Sequence, residues 1–297
     1  MKPVLPRWHG HRNAIAQPAL VLLALLLPAN LPAYEAPWLF TANISLSHDD
    51  NVANAGVSRD ERSDLLTEFS GAINRLFQPN LYWSLEAEAG LTLRRYQDYS
   101  RLSYLAPEIL GRANFRPGGG FYTPTFSAQL TVAHRNYSSR LRDGRLMRAG
   151  LLMQQPLSTR VDLRAGIEQV RRRADNRVFS YSFINTSFEL EWRATTRGTL
   201  ILGYLDRDGG LISTSRDYGS LNNAAERVIA DDAFPRANTE QFAYRLDASA
   251  ELITLAWYQG LSETLTASAL VQQRDASAGY GTGYKGTLVS AGLSLKF

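Results

Sequence analysis

The chain has 297 residues, of which 32 are basic and 28 acidic, and its formal net charge is +4. It contains no cysteine, which excludes disulfides and thiolate metal sites. Three basic residues and no acidic ones lie in the first 33 positions, which leaves 29 basic against 28 acidic residues in the remainder. A nearly balanced charge gives no reason to expect nucleic-acid binding.

The amino-terminal segment has the layout of a secretory signal peptide. Three basic residues precede the apolar run 19–27, and small residues follow up to Ala33. A run of nine residues is too short for a membrane-spanning helix, which needs about 20. We therefore expect a cleaved signal peptide over residues 1–33, export beyond the inner membrane of a Gram-negative cell, and a single domain over residues 34–297.

Most of the remaining sequence alternates between apolar and polar residues and is interrupted by turns. In segment 81–94, every second side chain from Leu81 to Leu93 is apolar, and the residues between them are polar or small. Such segments are long enough to span a bilayer, since a tilted strand of about 9–11 residues crosses one. The pattern predicts twelve strands, at residues 37–48, 64–77, 81–96, 102–115, 121–137, 145–155, 160–171, 179–192, 199–206, 240–258, 265–273 and 284–297.

The predicted connections alternate between tight turns and longer loops. Bacterial barrels join an even number of antiparallel strands by short periplasmic turns and longer external loops. Aromatic residues also gather near both ends of the predicted strands, as in the girdles at the two membrane interfaces. We therefore expect an all-β fold, a transmembrane antiparallel up-and-down β-barrel of about 12 strands, in the cell outer membrane.

The last predicted strand ends on an aromatic residue. Leu293, Leu295 and Phe297 share its apolar face, and polar or small residues alternate with them. This ending resembles the signal that outer-membrane barrels present to their insertion machinery, which implies that machinery as a partner. A soluble antiparallel strand can show the same alternation, so the prediction depends on the other strands as well.

Charged side chains in these strands have to face the barrel interior if the apolar faces meet lipid, because a charge exposed near the bilayer midplane costs roughly 2–4 kcal/mol. Carboxylates predominate toward the periplasmic half and arginines toward the external mouth, so we expect a vertical charge gradient in the lumen. The predicted acidic lumen residues are Glu86, Glu88, Glu108, Glu189 and Glu191. The predicted basic residues of the outer lumen are Arg94, Arg135, Arg148 and Arg245.

Two interpretations of these charges stay open. A basic mouth would attract an anionic solute or polymer, as charged rings do in other pores. Alternatively, inward charges of opposite sign pair and fill the barrel, and arginines on the rim bind the phosphates of the surrounding lipopolysaccharide. Small barrels are filled by side chains and large ones leave channels, so a barrel of this size is compatible with both interpretations.

The longest predicted connection is loop 207–239. Its segment Asp208-Gly209-Gly210 has the composition of a turn, and the loop also contains several further acidic residues. Such a loop can constrict the mouth, present a surface to a ligand, or serve as a plain connection.

Only His48 and His134 remain after the predicted signal peptide, so a hydrolase mechanism would have to use one of them. His48 adjoins Asp49, and such a pair can activate water, but the same residues are typical of a polar loop entrance. His134 shares the parity of its apolar neighbours and is expected to face lipid. We expect no enzyme site, no cofactor and no metal, because the acidic residues near His48 lack a complete calcium-loop pattern.

The opening of the chain resembles two groups of outer-membrane barrels. An aromatic-rich strand begins at Trp38 and runs into the loop Asp50-Asn51-Val52, and Phe77-Gln78-Pro79-Asn80 follows the next strand. One group is the barrel domain of surface lipoprotein assembly modifiers, which help lipoproteins reach the cell surface. The other is the β-barrel porins of exopolysaccharide loci. The resemblance implies an outer-membrane location and a lipoprotein or polysaccharide as partner.

We therefore expect a narrow porin-like channel, or an export and translocation accessory, with a cationic outer lumen. The alternatives are an outer-membrane hydrolase that uses His48 or His134 and a surface binding or assembly protein that acts through loop 207–239. The expected partners are outer-membrane lipid and lipopolysaccharide, the barrel-insertion machinery, and an anionic solute, polysaccharide or lipoprotein.

Overall fold

Twelve long β-strands form the framework of the structure. The computed structural model describes residues 34–35, 38–217, 219–234, 240–279 and 282–297, and the predicted signal peptide lies outside these ranges. None of the helices within them has the length and apolar character needed to span a membrane. The strands are β1 (Leu39–Asp49), β2 (Asp64–Gln78), β3 (Trp83–Tyr96), β4 (Tyr104–Phe115), β5 (Thr125–Tyr137), β6 (Gly144–Pro156), β7 (Val161–Ala174), β8 (Tyr181–Arg193), β9 (Gly198–Ser215), β10 (Phe242–Gly260), β11 (Leu265–Ala278) and β12 (Gly283–Lys296).

Each strand pairs with its neighbours in sequence, and the last strand pairs with the first. At this seam Phe40 and Phe297 exchange backbone hydrogen bonds of 2.8 and 3.0 Å, and the centres of their stacked rings are 5.8 Å apart. A closed sheet leaves no strand edge without hydrogen-bond partners, which a chain surrounded by lipid requires. The prediction of a closed antiparallel up-and-down barrel is therefore confirmed.

Large apolar side chains cover the outside of the barrel. Ile44, Phe69, Ile167, Leu202 and Ile253 lie within strands, and each exposes about half of its surface. Water disfavours such a belt by about 25 cal/mol for each Å² of apolar surface, whereas the hydrocarbon region of a bilayer favours it. A closed sheet with an apolar belt on its outside is the architecture of an outer-membrane β-barrel. The protein therefore spans that membrane.

All twelve predicted strands are present, and the main differences lie at external strand ends. β9 continues to Ser215 instead of ending near residue 206, and β11 is also longer than predicted. The segment Asp208-Gly209-Gly210, predicted as a turn, belongs to β9. Gly209 has a φ of +130°, and a Cβ there would lie 2.5 Å from the backbone oxygen of Ser182. Glycine therefore permits the chain to leave β8 at this point while it continues along β10.

The β9–β10 hairpin extends past the external end of β8. Beyond Gly209, β9 pairs only with β10, up to Ser215 opposite Phe242. A six-residue helix, Gly219–Ala224, follows, and the short strand Ala225–Ala230 then pairs with the other edge of β10. Much of this hairpin was predicted to belong to loop 207–239.

Candidate functional site: the lumen and its external mouth

Ion pairs join neighbouring strands in the periplasmic half of the lumen. Glu86 on β3 accepts a hydrogen bond of 3.1 Å from Arg112 on β4. Arg164 on β7 lies 2.7 Å from Glu191 and 3.6 Å from Glu189 on β8. The structure thus places these three predicted carboxylates inside the barrel, where arginines neutralise much of their charge.

Two further predicted carboxylates lie nearer the middle of the lumen. Glu108 on β4 is 3.5 Å from Arg148 on β6, so this pair reaches across the intervening strand β5. Glu88 faces the lumen on β3, opposite Leu110. Arg148 was predicted as a basic residue of the outer lumen, and its contact with Glu108 reduces the charge that it presents there.

In the external half of the lumen, arginines lie against aromatic rings. The guanidinium carbons of Arg94 and Arg135 are 5.5 and 5.2 Å from the centre of the Tyr104 ring. On β7, the guanidinium carbon of Arg172 is 4.8 Å from the ring centre of Tyr137. Cation–π attraction holds guanidinium groups at such distances without removing their charge.

Arg207 continues this arrangement on β9. Its guanidinium carbon is 4.2 Å from the ring centre of Phe183, and its Nε donates a hydrogen bond of 3.1 Å to Asn185 Oδ1. Arg207 was predicted within loop 207–239. It keeps the parity of the inward residues Gly203 and Leu205, so an alternation extended past residue 206 predicts its inward position. We name the following residues the arginine–aromatic layer: Arg94, Tyr104, Arg135, Tyr137, Arg172, Phe183 and Arg207.

The arginines of this layer differ in their counter-charges. Arg94 Nε donates a hydrogen bond of 2.7 Å to Glu68 on β2. For Arg135, Arg172 and Arg207, no carboxylate of the described residues lies within 4 Å. The arginine–aromatic layer therefore carries more positive than negative charge, in contrast to the ion pairs nearer the periplasm.

Arg245, predicted in the outer lumen, lies instead on the outer face of β10. Its Nε donates a hydrogen bond of 2.8 Å to Glu226 Oε2. The opposite, inner face carries Leu246, which is buried, and Asp247 and Glu251 share the outward parity of Arg245. The rule that polar residues point inward fails for this strand because an external loop packs against its inner face.

β9 and β10 present an apolar surface to the barrel interior. Leu211, Tyr244 and Leu246 form a buried cluster with Leu221 of the helix Gly219–Ala224. Burial of these side chains, at about 25 cal/mol for each Å² removed from water, anchors the start of the β9–β10 loop within the mouth. We name this surface the apolar inner wall, and its residues on β10 are Tyr244, Leu246, Ala248, Ala250 and Leu252.

The β9–β10 loop then lies across the mouth. Asp231 is buried and accepts hydrogen bonds of 2.6 Å from Arg142 in the β5–β6 loop and 2.7 Å from Thr214 on β9. Asp232 lies 3.0 Å from Arg101 of the β3–β4 loop, in an ion pair that is more exposed to solvent. These contacts fix the loop to the opposite side of the barrel.

The β1–β2 loop meets the β9–β10 loop over the same opening. The backbone oxygen of Ala53 accepts a hydrogen bond of 2.8 Å from the backbone nitrogen of Thr214. Ser215 Oγ donates a hydrogen bond of 2.7 Å to the buried carboxylate of Asp60. Ala53 also packs in one buried cluster with Phe234. We name residues 51–60 and 231–234 the lid.

A polar cavity of about 450 Å³ lies beside the β1–β2 part of the lid. Arg94 and Glu68 border it on one side, and Arg274 and Asp49 border it on the other. Arg274 Nη2 donates a hydrogen bond of 2.5 Å to Asp49 Oδ1, and neither residue was predicted to line the lumen. The lid thus encloses space between itself and the charged inner surface.

His48 and His134 both lie on the outer face of the barrel. His48 shares the parity of the exposed Ile44, whereas Asp49 faces the lumen and bonds to Arg274. The two members of the His-Asp pair considered from the sequence therefore point to opposite sides of β1. Within the described ranges, no group of three or more potential ligands is placed to hold a metal ion.

The carboxy-terminal strand has the predicted orientation. Leu293, Leu295 and Phe297 are exposed on the outer face of the barrel, next to the seam with β1. Their recognition by the insertion machinery stays a prediction.

Comparisons with known proteins agree with this fold. The structure is similar to an outer membrane channel from Pseudomonas putida F1, with a TM-score of 0.57 and 11% sequence identity, over 91% of this chain and 100% of that chain. It also matches the NanC porin at a TM-score of 0.46 and 7% identity, over 86% of this chain and 100% of that chain, but this score is too low to support an argument. No protein-family model and no curated protein matches the sequence. At these identities the likeness shows a shared barrel fold, and the resemblance to assembly modifiers and exopolysaccharide porins stays a prediction.

Proposed function

We propose that the protein is a narrow outer-membrane channel that favours anionic solutes. The observation that carries this proposal is the arginine–aromatic layer, in which Arg135, Arg172 and Arg207 lack a carboxylate within 4 Å among the described residues. Charge that is concentrated on the wall of a narrow aqueous path raises the local concentration of ions of opposite sign. Anions are therefore enriched in the outer lumen and cations are depleted.

The charges below this layer support selection at the outer lumen. The pairs Arg112–Glu86 and Arg164–Glu191 bring opposite charges to 3.1 and 2.7 Å, so their fields largely cancel at a distance. A solute that enters from outside meets the positive layer first. The same order of charges suits an acidic polymer that leaves the cell, and an export accessory for such a polymer is the second form of this proposal.

The lid controls access to the layer in this proposal. Its buried ion pair between Asp231 and Arg142, at 2.6 Å, fastens one loop to the opposite rim. Channel conductance therefore depends on how often the lid opens, and ion selectivity depends on the arginine–aromatic layer.

The proposal is tested by conductance and reversal-potential measurements on the purified, folded protein in planar bilayers. We expect single-channel currents with a preference for anions, and Arg135→Glu should lower or reverse that preference. Arg148→Glu should have a smaller effect, because Glu108 already offsets the charge of Arg148. The currents are recorded in parallel on Asp231→Ala, in which the lid is weakened.

Arg95→Glu provides a matched control. Arg95 lies beside Arg94 on β3 but is exposed on the outer face, so the same reversal of charge should leave the ion preference unchanged. Absence of current in both the native protein and the Asp231→Ala variant would remove the proposal. An equal change of preference in Arg95→Glu and Arg135→Glu would show that the lumen does not set the selectivity.

The two other functions considered from the sequence stay predictions. A hydrolase centred on His48 or His134 would have to act at the outer face of the barrel, where both histidines lie. A binding or assembly role of loop 207–239 would have to use the part of that loop that remains outside the lid.

A further inference from the structure

A second cluster of arginines lies on the outside of the barrel. Arg145 on β6 is directly opposite Arg173 on β7, and His134 on β5 is directly opposite Arg145. Arg171 lies two positions before Arg173 on the same face, and all four side chains are exposed. We name these four residues the outer basic patch.

The outer basic patch lacks a counter-charge of its own. In the described part of the chain, no carboxylate lies within 4 Å of Arg145, Arg171 or Arg173. Side chains that are directly opposite on antiparallel strands have Cβ atoms about 4.5–5.5 Å apart, and like charges in these positions repel each other. An anion placed between Arg145 and Arg173 would relieve this repulsion.

The surface on the membrane side of the patch is apolar. Met147 is directly opposite Arg171, and both Met147 and Ile167 expose about half of their surface. The patch therefore lies at the external edge of the apolar belt, where phosphates of the outer leaflet meet acyl chains. A soluble anion would contact only the arginines, whereas an amphiphile with a phosphorylated headgroup complements both surfaces.

A hollow of about 340 Å³ adjoins the patch along the outer face. Its lining includes Arg171 opposite Ser182 and Gly210 opposite Asp247. It also includes Arg172 and Tyr181, near the point where β9 leaves β8. A Cβ at Gly210 would lie 3.0 Å from the Cβ of Tyr181, so glycine permits β9 to pass close to β8 beside the hollow. The hydroxyl of Ser182 and the carboxylate of Asp247 can form hydrogen bonds to headgroup hydroxyls.

We propose that the outer basic patch binds the phosphorylated headgroup of a lipid of the outer leaflet. Arg145 and Arg173 hold a phosphate through charge-assisted hydrogen bonds. The planar guanidinium group of arginine matches the arrangement of the phosphate oxygens. The acyl chains lie along Met147 and Ile167, and the rest of the headgroup occupies the hollow. Arg145 and Arg173 are on the opposite side of the barrel wall from the lumen, so binding of the phosphate does not depend on the proposed channel.

The experiment compares two lipids on the purified, folded protein in detergent. A diphosphorylated lipid A and the same lipid without its phosphates are titrated, and native mass spectrometry follows the bound fraction. We expect the phosphorylated lipid to bind at least tenfold more tightly, and Arg173→Glu to remove most of this difference. Arg173→Gln, which removes the charge without reversing it, should produce an intermediate loss. Heat-modifiable migration on gels verifies that each variant is folded.

Arg95→Glu is again the matched control, because it reverses one exposed arginine on the distant outer face of β3. It should keep the preference for the phosphorylated lipid. Equal affinity of the native protein for the two lipids would overturn the proposal, and so would equal losses in Arg95→Glu and Arg173→Glu. Displacement of the lipid by millimolar inorganic phosphate would also overturn it, because the site would then bind a simple anion.

Discussion

Two regions of the inner wall differ in chemistry although one sheet forms both. From β3 to β8 the wall carries arginines and carboxylates that pair across strands, as Arg112 and Glu86 do, together with a small buried apolar cluster that includes Leu146 and Val170. On β9 and β10 it carries the apolar inner wall, whose Leu246 is 4% exposed. Inward positions near the start of the β9–β10 loop are apolar because that loop packs on them, whereas Arg207, earlier on β9, still carries an inward charge. In the proposed channel, the first region acts on ions and the second holds the lid.

The largest effect is expected when a charge is placed on the apolar inner wall. Leu246→Asp would bury a carboxylate without a partner, at a cost of roughly 3–5 kcal/mol, and the β9–β10 loop should detach. Trypsin added from outside should then cut after Arg227, which the strand Ala225–Ala230 holds against β10 in the native protein, and the conductance should rise several-fold.

The matched control for this change is Leu152→Asp. Leu152 faces inward on the polar wall of β6 and is only partly buried, so the new carboxylate can stay hydrated. If both variants are cleaved equally, or if the loop of Leu246→Asp stays protected, the two regions of the wall do not differ as described.

A smaller effect is expected from the buried ion pair of the lid. Asp231→Ala leaves Arg142 without its carboxylate and should weaken lid closure by about 3 kcal/mol, which single-channel recording would show as a higher open probability. Asp232→Ala removes the exposed pair with Arg101 and should change lid closure by less than about 1 kcal/mol. Equal effects of the two substitutions would contradict the assigned role of burial.

The smallest effect is expected from salt. The Debye length falls from about 10 Å at 0.1 M to about 3 Å at 1 M ionic strength. The ratio of anion to cation permeability that the arginine–aromatic layer produces should therefore fall toward one. Reversal potentials measured at a constant concentration ratio would show this change. A preference that does not depend on salt would instead indicate selection by size.

Much of the fold could be predicted from the two-residue period of the sequence. Apolar residues at alternate positions face lipid in nearly every strand, which is why the strand number and the closure of the sheet were predicted correctly. The end of β9 was missed because Gly209 and Gly210 resemble a turn, whereas neighbouring strands hold the segment extended. A local pattern does not reveal such support from other strands.

The lid could not be predicted in the same way, and neither could the face of the sheet on which Arg245 lies. The ion pair of Arg142 and Asp231 joins positions 89 residues apart, and alternation along one strand contains no information about it. On β10 both faces carry apolar residues, so the pattern alone does not decide which face is inward. The orientation of this strand instead agrees with the buried cluster that Leu221 of the β9–β10 loop forms with Leu246 and its neighbours.

The seam between β1 and β12 has a consequence for the kinetics of folding. Ser47 Oγ donates a hydrogen bond of 2.8 Å to Ser290 Oγ across a separation of 243 residues, and contacts so distant along the chain form slowly. Until this pairing forms, the first and last strands are unprotected edges that can aggregate. The time needed for this pairing, more than the stability of the finished barrel, therefore determines how long these edges stay unprotected.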